Sequence, residues 1–261
     1  MRAEKSRRTN LTETSIDRFA MGGVHQTKVG CCGFIVSQQE YFTLFKLIEI
    51  QNTFYQLPRL QTAENWRGVA PPGFEFTMKA WQLITHEPSS PTYRRLKAKI
   101  DPSEFDRYGR FRSTPQVMEA WNRTAMFAKT LGVSTVVFQC PASFRPTQQN
   151  VTNIREFFSR IDRGQFQFAW EPRGSWPDEL VLELCGELDL IHCVDPFKNK
   201  PQYGHFQYFR LHGITGYAYR YTDDDLRKLK EWVDNKPTYV LFNNNWMKDD
   251  ALRFLALIQE Q

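Results

Sequence analysis

Short apolar runs alternate with longer, one-sided segments along most of this chain. Each run is rich in Val, Ile, Phe or Tyr, a composition typical of buried strands. The pattern predicts strands over residues 29–34, 47–54, 74–78, 135–140, 166–171, 190–194, 207–212 and 238–243. The alternation begins near residue 28 and continues almost to the last residue. This regularity predicts one repeating α/β architecture.

Helix signals lie between most of the apolar runs. Apolar residues at helical spacing and cap residues predict helices over residues 37–46, 114–131, 147–161, 176–188, 222–233 and 248–259. Thr114 followed by Pro115 marks a helix start, and Gly132 marks the end of the same helix. Thr222 precedes three aspartates, which place negative charge at the positive end of a helix dipole.

Strands that alternate with helices favour a (β/α)8 barrel of the TIM type, with an open doubly wound sheet as the alternative. The chain carries neither G-x-G-x-x-G nor G-x-x-x-x-G-K-[ST], so we expect no nucleotide cofactor. We expect a single barrel domain over residues 28–261 and a flexible, basic N-terminal tail over residues 1–27. Met1 and Met21 are both candidate translation starts.

Composition narrows the function classes. The 261 residues are 41% hydrophobic and 15% aromatic, which suits a large core. The net charge is +5, but residues 1–28 account for +3 and the remainder for only +2. A near-neutral domain disfavours a strongly basic nucleic-acid binder. No apolar run approaches the roughly 18 residues needed to span a bilayer. We expect a cytoplasmic protein without membrane contact, and five reduced cysteines.

Polar residues near the ends of the predicted strands share one face. Side chains alternate along a strand, so the apolar set that faces the helices leaves a polar set inside the barrel. The inward set is Lys79, Gln139, Glu171, Asp195, Arg210, His212 and Asn243. Convergence of charged groups at the carboxyl ends of barrel strands predicts a ligand site. The alternative is a salt-bridged plug, with Glu171 bound to Arg210 and Lys79 to Asp195.

Three of these residues are candidate catalytic groups. Two carboxylates in one cavity raise the pKa of one of them, so Glu171 and Asp195 are candidates for an acid/base pair. His212 is a candidate base. Glu49, Glu171, Asp195 and His212 are also of the right types to hold a divalent metal, although no metal-binding spacing supports this.

The cationic side chains near the predicted site indicate the charge of the substrate. Lys79, Arg173 and Arg210 favour a small anionic ligand, such as one that contains phosphate, and Asn243 can bind its polar groups. His86 lies in a long insertion over residues 81–113 that could close over the site. These assignments predict a hydrolase or another acid/base enzyme at the carboxyl-terminal mouth of the barrel. A non-catalytic ligand-binding protein is an alternative.

A nucleic-acid-binding or metal-dependent phosphodiester-processing protein is a further alternative. Residues 107–112, RYGRFR, interleave Arg with aromatic residues as single-strand-binding surfaces do. The competing interpretation is a lid held by salt bridges to Glu104 and Asp106.

Several motifs occur in an order that resembles a known family. They are GCCGF at 30–34, EIQNTFY at 49–55, FTMK at 76–79, QCPASF at 139–144, WEPRGSW at 170–176, DP at 195–196, RLHG at 210–213 and FNN at 242–244. Together they resemble the YecE-like family, or domain of unknown function 72. The sequences EPRG and ASFRPT resemble its archaeal-type branch.

The resemblance implies a TIM barrel, but no established catalytic residue. It implies that Asn52 and Tyr55 belong to the family's signature. We therefore include both, with Gln139, among the candidate substrate-binding residues. CGF at 32–34 departs from the more usual SGW.

Overall fold

The computed structural model describes residues 27–233 and 236–259. Eight parallel strands, each paired with the next in sequence, form a closed barrel. They are β1 Thr27–Cys32, β2 Leu47–Ile50, β3 Glu75–Lys79, β4 Val133–Gln139, β5 Gln167–Glu171, β6 Ile191–Val194, β7 Gln207–Leu211 and β8 Thr238–Phe242. Pairing of β1 with β8 closes the barrel, so the predicted TIM-type fold is confirmed. Of the predicted tail, residues 1–26 and the start at Met21 lie outside the described residues, whereas Thr27 already belongs to β1.

Helices cover the outside of this barrel. They are α1 Gln38–Leu44, α2 Asn52–Tyr55, α3 Leu60–Val69, α4 Gln82–Thr85, α5 Pro115–Leu131, α6 Gln148–Arg160, α7 Asp178–Leu188, α8 Asp223–Val233 and α9 Met247–Gln259, with 3₁₀ turns at Pro91–Arg95 and Pro102–Arg107. The side chain of Thr114 accepts a hydrogen bond from the Val117 amide, and Gly132 ends α5 in the left-handed conformation. The cap signals in the sequence therefore mark this helix correctly.

The predicted second strand, residues 47–54, is too long. The strand ends at Ile50, and α2 begins two residues later. The Thr53 hydroxyl lies within hydrogen-bond distance of the backbone carbonyl oxygens of Ile50 and Lys79. Its contact with Lys79 ties the helical turn to β3. The sequence misses α3, whose buried surface is small, and the insertion over 81–113 contains short helical elements rather than a single open loop.

The core has two layers. The outer layer, between strands and helices, is dominated by packed rings such as Phe111 and Phe138. The inner layer lies within the barrel and includes Ala169, Cys193 and Tyr208. This division confirms the alternation that assigned polar residues to the barrel interior. Within the described ranges, no helix is both long and apolar enough to cross a membrane.

Gly30 should tolerate no side chain, because a Cβ atom there would overlap the Leu47 carbonyl oxygen on the neighbouring strand. We expect Gly30→Ala to lower the free energy of unfolding by about 1–3 kcal/mol, as overpacked core positions do. Gly68→Ala is the matched control. Its Cβ meets no atom within 4 Å inside α3, so it should raise stability by about 0.5–1 kcal/mol. Urea denaturation measures both, and equal effects would contradict the assignment.

Candidate functional site

The predicted polar residues converge at the carboxyl-terminal end of the barrel. Lys79 and Glu171 are the last residues of β3 and β5, and Arg210 is the next-to-last residue of β7. Asp195 and His212 directly follow β6 and β7. All five side chains are buried. Because they come from four strands, β3, β5, β6 and β7, the barrel itself sets their mutual positions.

Arg210 is fully buried and joins three of the predicted residues. Its Nε lies 3.1 Å and its Nη2 3.0 Å from oxygens of Glu49, while Nη1 binds Glu171 and lies 3.1 Å from Gln139 Oε1. Tyr208 also donates to Glu49, at 2.9 Å. These groups satisfy one another, so Arg210, Gln139 and Glu49 form an internal support rather than free ligand contacts.

This network contains one of the two ion pairs predicted for the salt-bridged plug. Glu171 binds Arg210 as that alternative predicted, but Lys79 does not bind Asp195. The cation nearest the Asp195 carboxylate is Lys198, at 3.8 Å.

Glu171, one of the two carboxylates predicted to form an acid/base pair, has a lowered pKa. Burial would raise its pKa, but the charges of Arg210 and Arg173 outweigh burial and lower the pKa to about 2. Arg173 Nε donates to Glu171 Oε1 at 3.0 Å. Glu171 is therefore an ionised anchor for two guanidinium groups.

Asp195, His212 and Arg173 form a chain of contacts, in which hydrogen bonds join Asp195 to the His212 backbone and Arg173 to the His212 ring. Asp195 Oδ2 accepts the His212 backbone N–H at 3.1 Å and lies 3.6 Å from Nδ1 of the same residue. Arg173 Nη2 lies 3.0 Å from His212 Nε2. A guanidinium can only donate, so Nε2 accepts and the ring proton resides on Nδ1, facing Asp195. Burial lowers the pKa of His212, although Asp195 opposes this effect. The ring is therefore a neutral base.

This chain opens on a cavity of about 330 Å³. Its wall includes Glu171, Arg173, Asp195 and His212, with the partly exposed Lys198 beside them. The sequence argument missed Lys198, which lies in a turn, and His192.

His192 lies on β6 in the strand parity that faces the helices. It still lines the cavity, and its Nδ1 accepts a hydrogen bond from the backbone N–H of Gln202 at 3.1 Å. Burial lowers the pKa of His192 to about 4. Strand parity alone therefore does not predict that His192 lines the cavity.

Lys79 and His86 lie together on the β3 side. Lys79 Nζ is 3.8 Å from the centre of the Phe54 ring, and the His86 ring meets the same ring edge-on. Burial, aided by the charge of Arg210, lowers the pKa of Lys79 to about 7. Burial also lowers the pKa of His86 to about 3. His86 follows α4 directly and is buried, so it belongs to the packed structure rather than to an exposed loop.

The remaining substrate-binding candidates lie less centrally. Asn52 is exposed at the start of α2, and the Arg95 guanidinium stacks on Tyr55 at 3.6 Å. Asn243 is half-buried, and its backbone N–H donates a hydrogen bond to the Leu211 carbonyl. Their predicted roles in binding stay predictions.

The four metal candidates do not form a ligand set. Within residues 27–233 and 236–259, no three His, Cys, Asp or Glu side chains are arranged to hold a metal ion. Glu49 binds Arg210 instead.

Residues 107–112 are held against the barrel. Arg110 and Arg112 bind Glu87 at 2.6 and 3.1 Å, and Arg107 lies 3.8 Å from Glu104. Phe111 is fully buried among other Phe rings, so it cannot stack on nucleotide bases. The structure thus favours the clamped lid, with Glu87 in the place predicted for Asp106.

Comparison with known sequences assigns the family. The profile of a protein of unknown function, DUF72, matches residues 38–261. The chain belongs to the DUF72 family. The UPF0759 protein YunF of Bacillus subtilis (strain 168) is 26% identical over 254 residues, which cover 82% of each chain. A narrower YecE-like or archaeal-type assignment stays a prediction.

Solved structures agree on the DUF72 fold. A DUF72 family protein from Enterococcus faecalis superposes with a TM-score of 0.68 at 16% identity, covering 90% of this chain and 96% of its own. Endonuclease IV from Thermus thermophilus gives a TM-score of 0.53 at 11% identity, with 89% and 97% covered. At these identities the likeness extends to the barrel fold alone.

Removal of the central cation should destabilise the barrel. Arg210→Met leaves Glu49 and Glu171 buried without their shared partner, which should lower the free energy of unfolding by about 3–5 kcal/mol. Arg227→Met is the control, because Arg227 pairs with Asp224 on an exposed helix face. That change should stay within about 0.5 kcal/mol. Chemical denaturation compares the two, and a small effect at Arg210 would refute the supporting role.

The low pKa of Glu171 predicts an acid dependence of stability. A carboxylate with a depressed pKa stabilises the fold fully above its unfolded value of 4.5, and this contribution is lost as pH falls towards about 2. Glu171→Gln should therefore flatten the stability curve between those pH values. Thermal unfolding at successive pH values measures the slope. Glu183→Gln, at an exposed carboxylate, should follow the wild-type curve; a wild-type slope in Glu171→Gln would show that Glu171 does not supply it.

Proposed function

We propose that this DUF72 protein is an enzyme that acts on an anionic, phosphate-bearing substrate at the carboxyl-terminal mouth of its barrel. The reaction class is hydrolysis or another acid/base conversion in which His212 serves as the base. The observation that carries this proposal is the Asp195–His212–Arg173 chain beside an open cavity. A cytoplasmic location belongs to the same proposal.

Arg173 is the anion-binding group in this proposal. Its side chain is 34% exposed, whereas Arg210 is completely enclosed. A guanidinium can bind two phosphate oxygens at once, and Lys198 adds positive charge at the same rim. Glu171 keeps hold of Nε, so the guanidinium can turn its Nη2 towards a ligand without leaving the site.

Binding of the anion would also free the base. In the unliganded arrangement, the Nε2 lone pair of His212 accepts the Arg173 Nη2 proton. When phosphate takes that N–H group, the lone pair becomes available for a proton from water or substrate. Asp195, next to Nδ1, stabilises the imidazolium that results. Positioned bases of this kind contribute about 10²–10⁴-fold to a rate.

Phosphate binding tests the anion site. Arg173→Met should weaken binding of inorganic phosphate by about 10-fold or more, because charge-assisted hydrogen bonds are lost. Isothermal titration measures the affinity. Arg155→Met is the control, because Arg155 is equally exposed at 34% and is likewise held by carboxylates, but lies on α6. Equal affinities in all three proteins would remove the proposed anion site.

Turnover tests the base. Across a panel of compounds, phosphate release from phosphomonoesters and sugar phosphates, or shorter fragments from oligonucleotides, should identify a substrate for the wild-type protein. His212→Gln should then reduce kcat by about 10²–10⁴-fold while phosphate affinity is retained. Oligonucleotide binding with steep salt dependence would favour the phosphodiester alternative. Ligand retention without turnover across the panel would instead indicate the non-catalytic binding protein.

A further inference from the structure

Lys79 is a buried lysine that the base-and-anion mechanism does not use. It ends β3 with its side chain inside the barrel, where only 5% of its surface is exposed. Its backbone is fixed on both sides, because Thr53 bonds its carbonyl and the next amide bonds Val137 on β4. The backbone that carries the amine is therefore fixed at the carboxyl-terminal end of the barrel.

The surroundings of Lys79 differ from those of an ordinary anion-binding lysine. Among the described residues, no carboxylate lies within 4.0 Å of its Nζ. The amine instead faces the Phe54 ring, 3.8 Å from the ring centre. The cationic guanidinium of Arg210 holds the two nearby carboxylates, Glu49 and Glu171, through its own hydrogen bonds.

Such an environment favours the neutral amine. Lysines become nucleophilic when a pocket desolvates them or when a second cation lies nearby, and both conditions hold here. Near neutral pH, a larger share of the Lys79 amine is therefore uncharged than of an ordinary lysine, whose pKa is 10.5. Free amine, rather than ammonium, is the form that adds to carbonyl carbon.

We infer that Lys79 is a nucleophile that forms an imine with a carbonyl group of the substrate. The inference rests on the proposed function and narrows its substrate class to phosphorylated aldehydes and ketones. Arg173 would hold the phosphate while Lys79 reaches the carbonyl carbon from the β3 side of the same mouth. His212 would then exchange a proton at the carbon next to the imine.

The covalent step balances without a further reactant. The nitrogen lone pair forms the C–N bond, and the carbonyl π electrons move to oxygen, which takes a proton. The nitrogen then gives up its protons as the C–O bond breaks, so the products are the C=N bond and one water molecule. A proton from solvent then converts the imine to an iminium ion. The iminium withdraws electrons and acidifies the neighbouring C–H, so a neutral imidazole is a sufficient base.

Reductive trapping tests this assignment on the full chain. The protein is incubated at pH 7 with glycolaldehyde phosphate and sodium cyanoborohydride, and the adducts are located by peptide mass mapping. We expect Lys79 to be modified about tenfold or more faster than Lys248, an exposed lysine paired with Glu40. Inorganic phosphate should slow modification of Lys79 and leave that of Lys248 unchanged.

Two variants sharpen the result. Lys79→Arg keeps a cation but cannot form an imine, so it should lose the selective adduct and retain phosphate binding. Lys248→Arg should leave the Lys79 adduct intact. Modification spread equally over surface lysines in the wild-type protein would overturn the inference, whether or not Lys79→Arg folds.

The two proposals fail in different ways. Phosphate binding that depends on Arg173, together with an unmodified Lys79, would overturn the imine and leave the proposed anion site standing. Selective modification of Lys79 by unphosphorylated glycolaldehyde, in a protein that does not bind phosphate, would support the amine and remove the anion site.

Discussion

The bidentate grip of Arg210 on Glu49 is the interaction on which the mouth of this barrel depends. A buried guanidinium needs compensation for its lost hydration, and carboxylates from β2 and β5 supply it. Each carboxylate is in turn bound by other groups, including Tyr208 and Arg173. Three strands are thereby tied across the barrel interior, at the level where the ligand cavity begins.

This central cation divides the polar residues into two kinds. The first kind, which includes Glu49 and Gln139, binds Arg210 inside the barrel and uses its hydrogen bonds within that buried network. Those beyond it, such as Arg173 and His212, face a cavity and retain groups that a ligand can displace. Glu171 joins the two kinds, since one oxygen holds Arg210 and the other holds Arg173. The ligand-facing chain therefore inherits its rigidity from the buried network.

The sequence indicates which way each strand side chain points, but it says little about which side chains bind one another. Alternation along each strand correctly places Lys79, Glu171 and Arg210 inside the barrel, because side-chain parity is a local property. Which carboxylate binds which guanidinium depends on reach across the barrel, and no local pattern encodes that. The same limitation applies to the pKa of Glu171, because an argument from two carboxylates omits the two guanidinium groups that bind this one. The sequence predicts a strand through residues 51–54, but the backbone hydrogen bond from the Gln56 N–H to the Asn52 carbonyl shows a helical turn there.

The clamped segment over residues 107–112 makes the entrance to the site asymmetric. Its backbone amides bond carbonyls of Leu83, Ile84 and Thr85, while Phe111 is anchored in the aromatic core. Lifting this segment would require withdrawing a core side chain, so the β3 side of the mouth behaves as a fixed roof. The cavity lined by Arg173, Lys198 and Tyr217 is the entrance that the proposed function requires. By that route a ligand would meet Arg173 and Lys198 before the enclosed amine of Lys79.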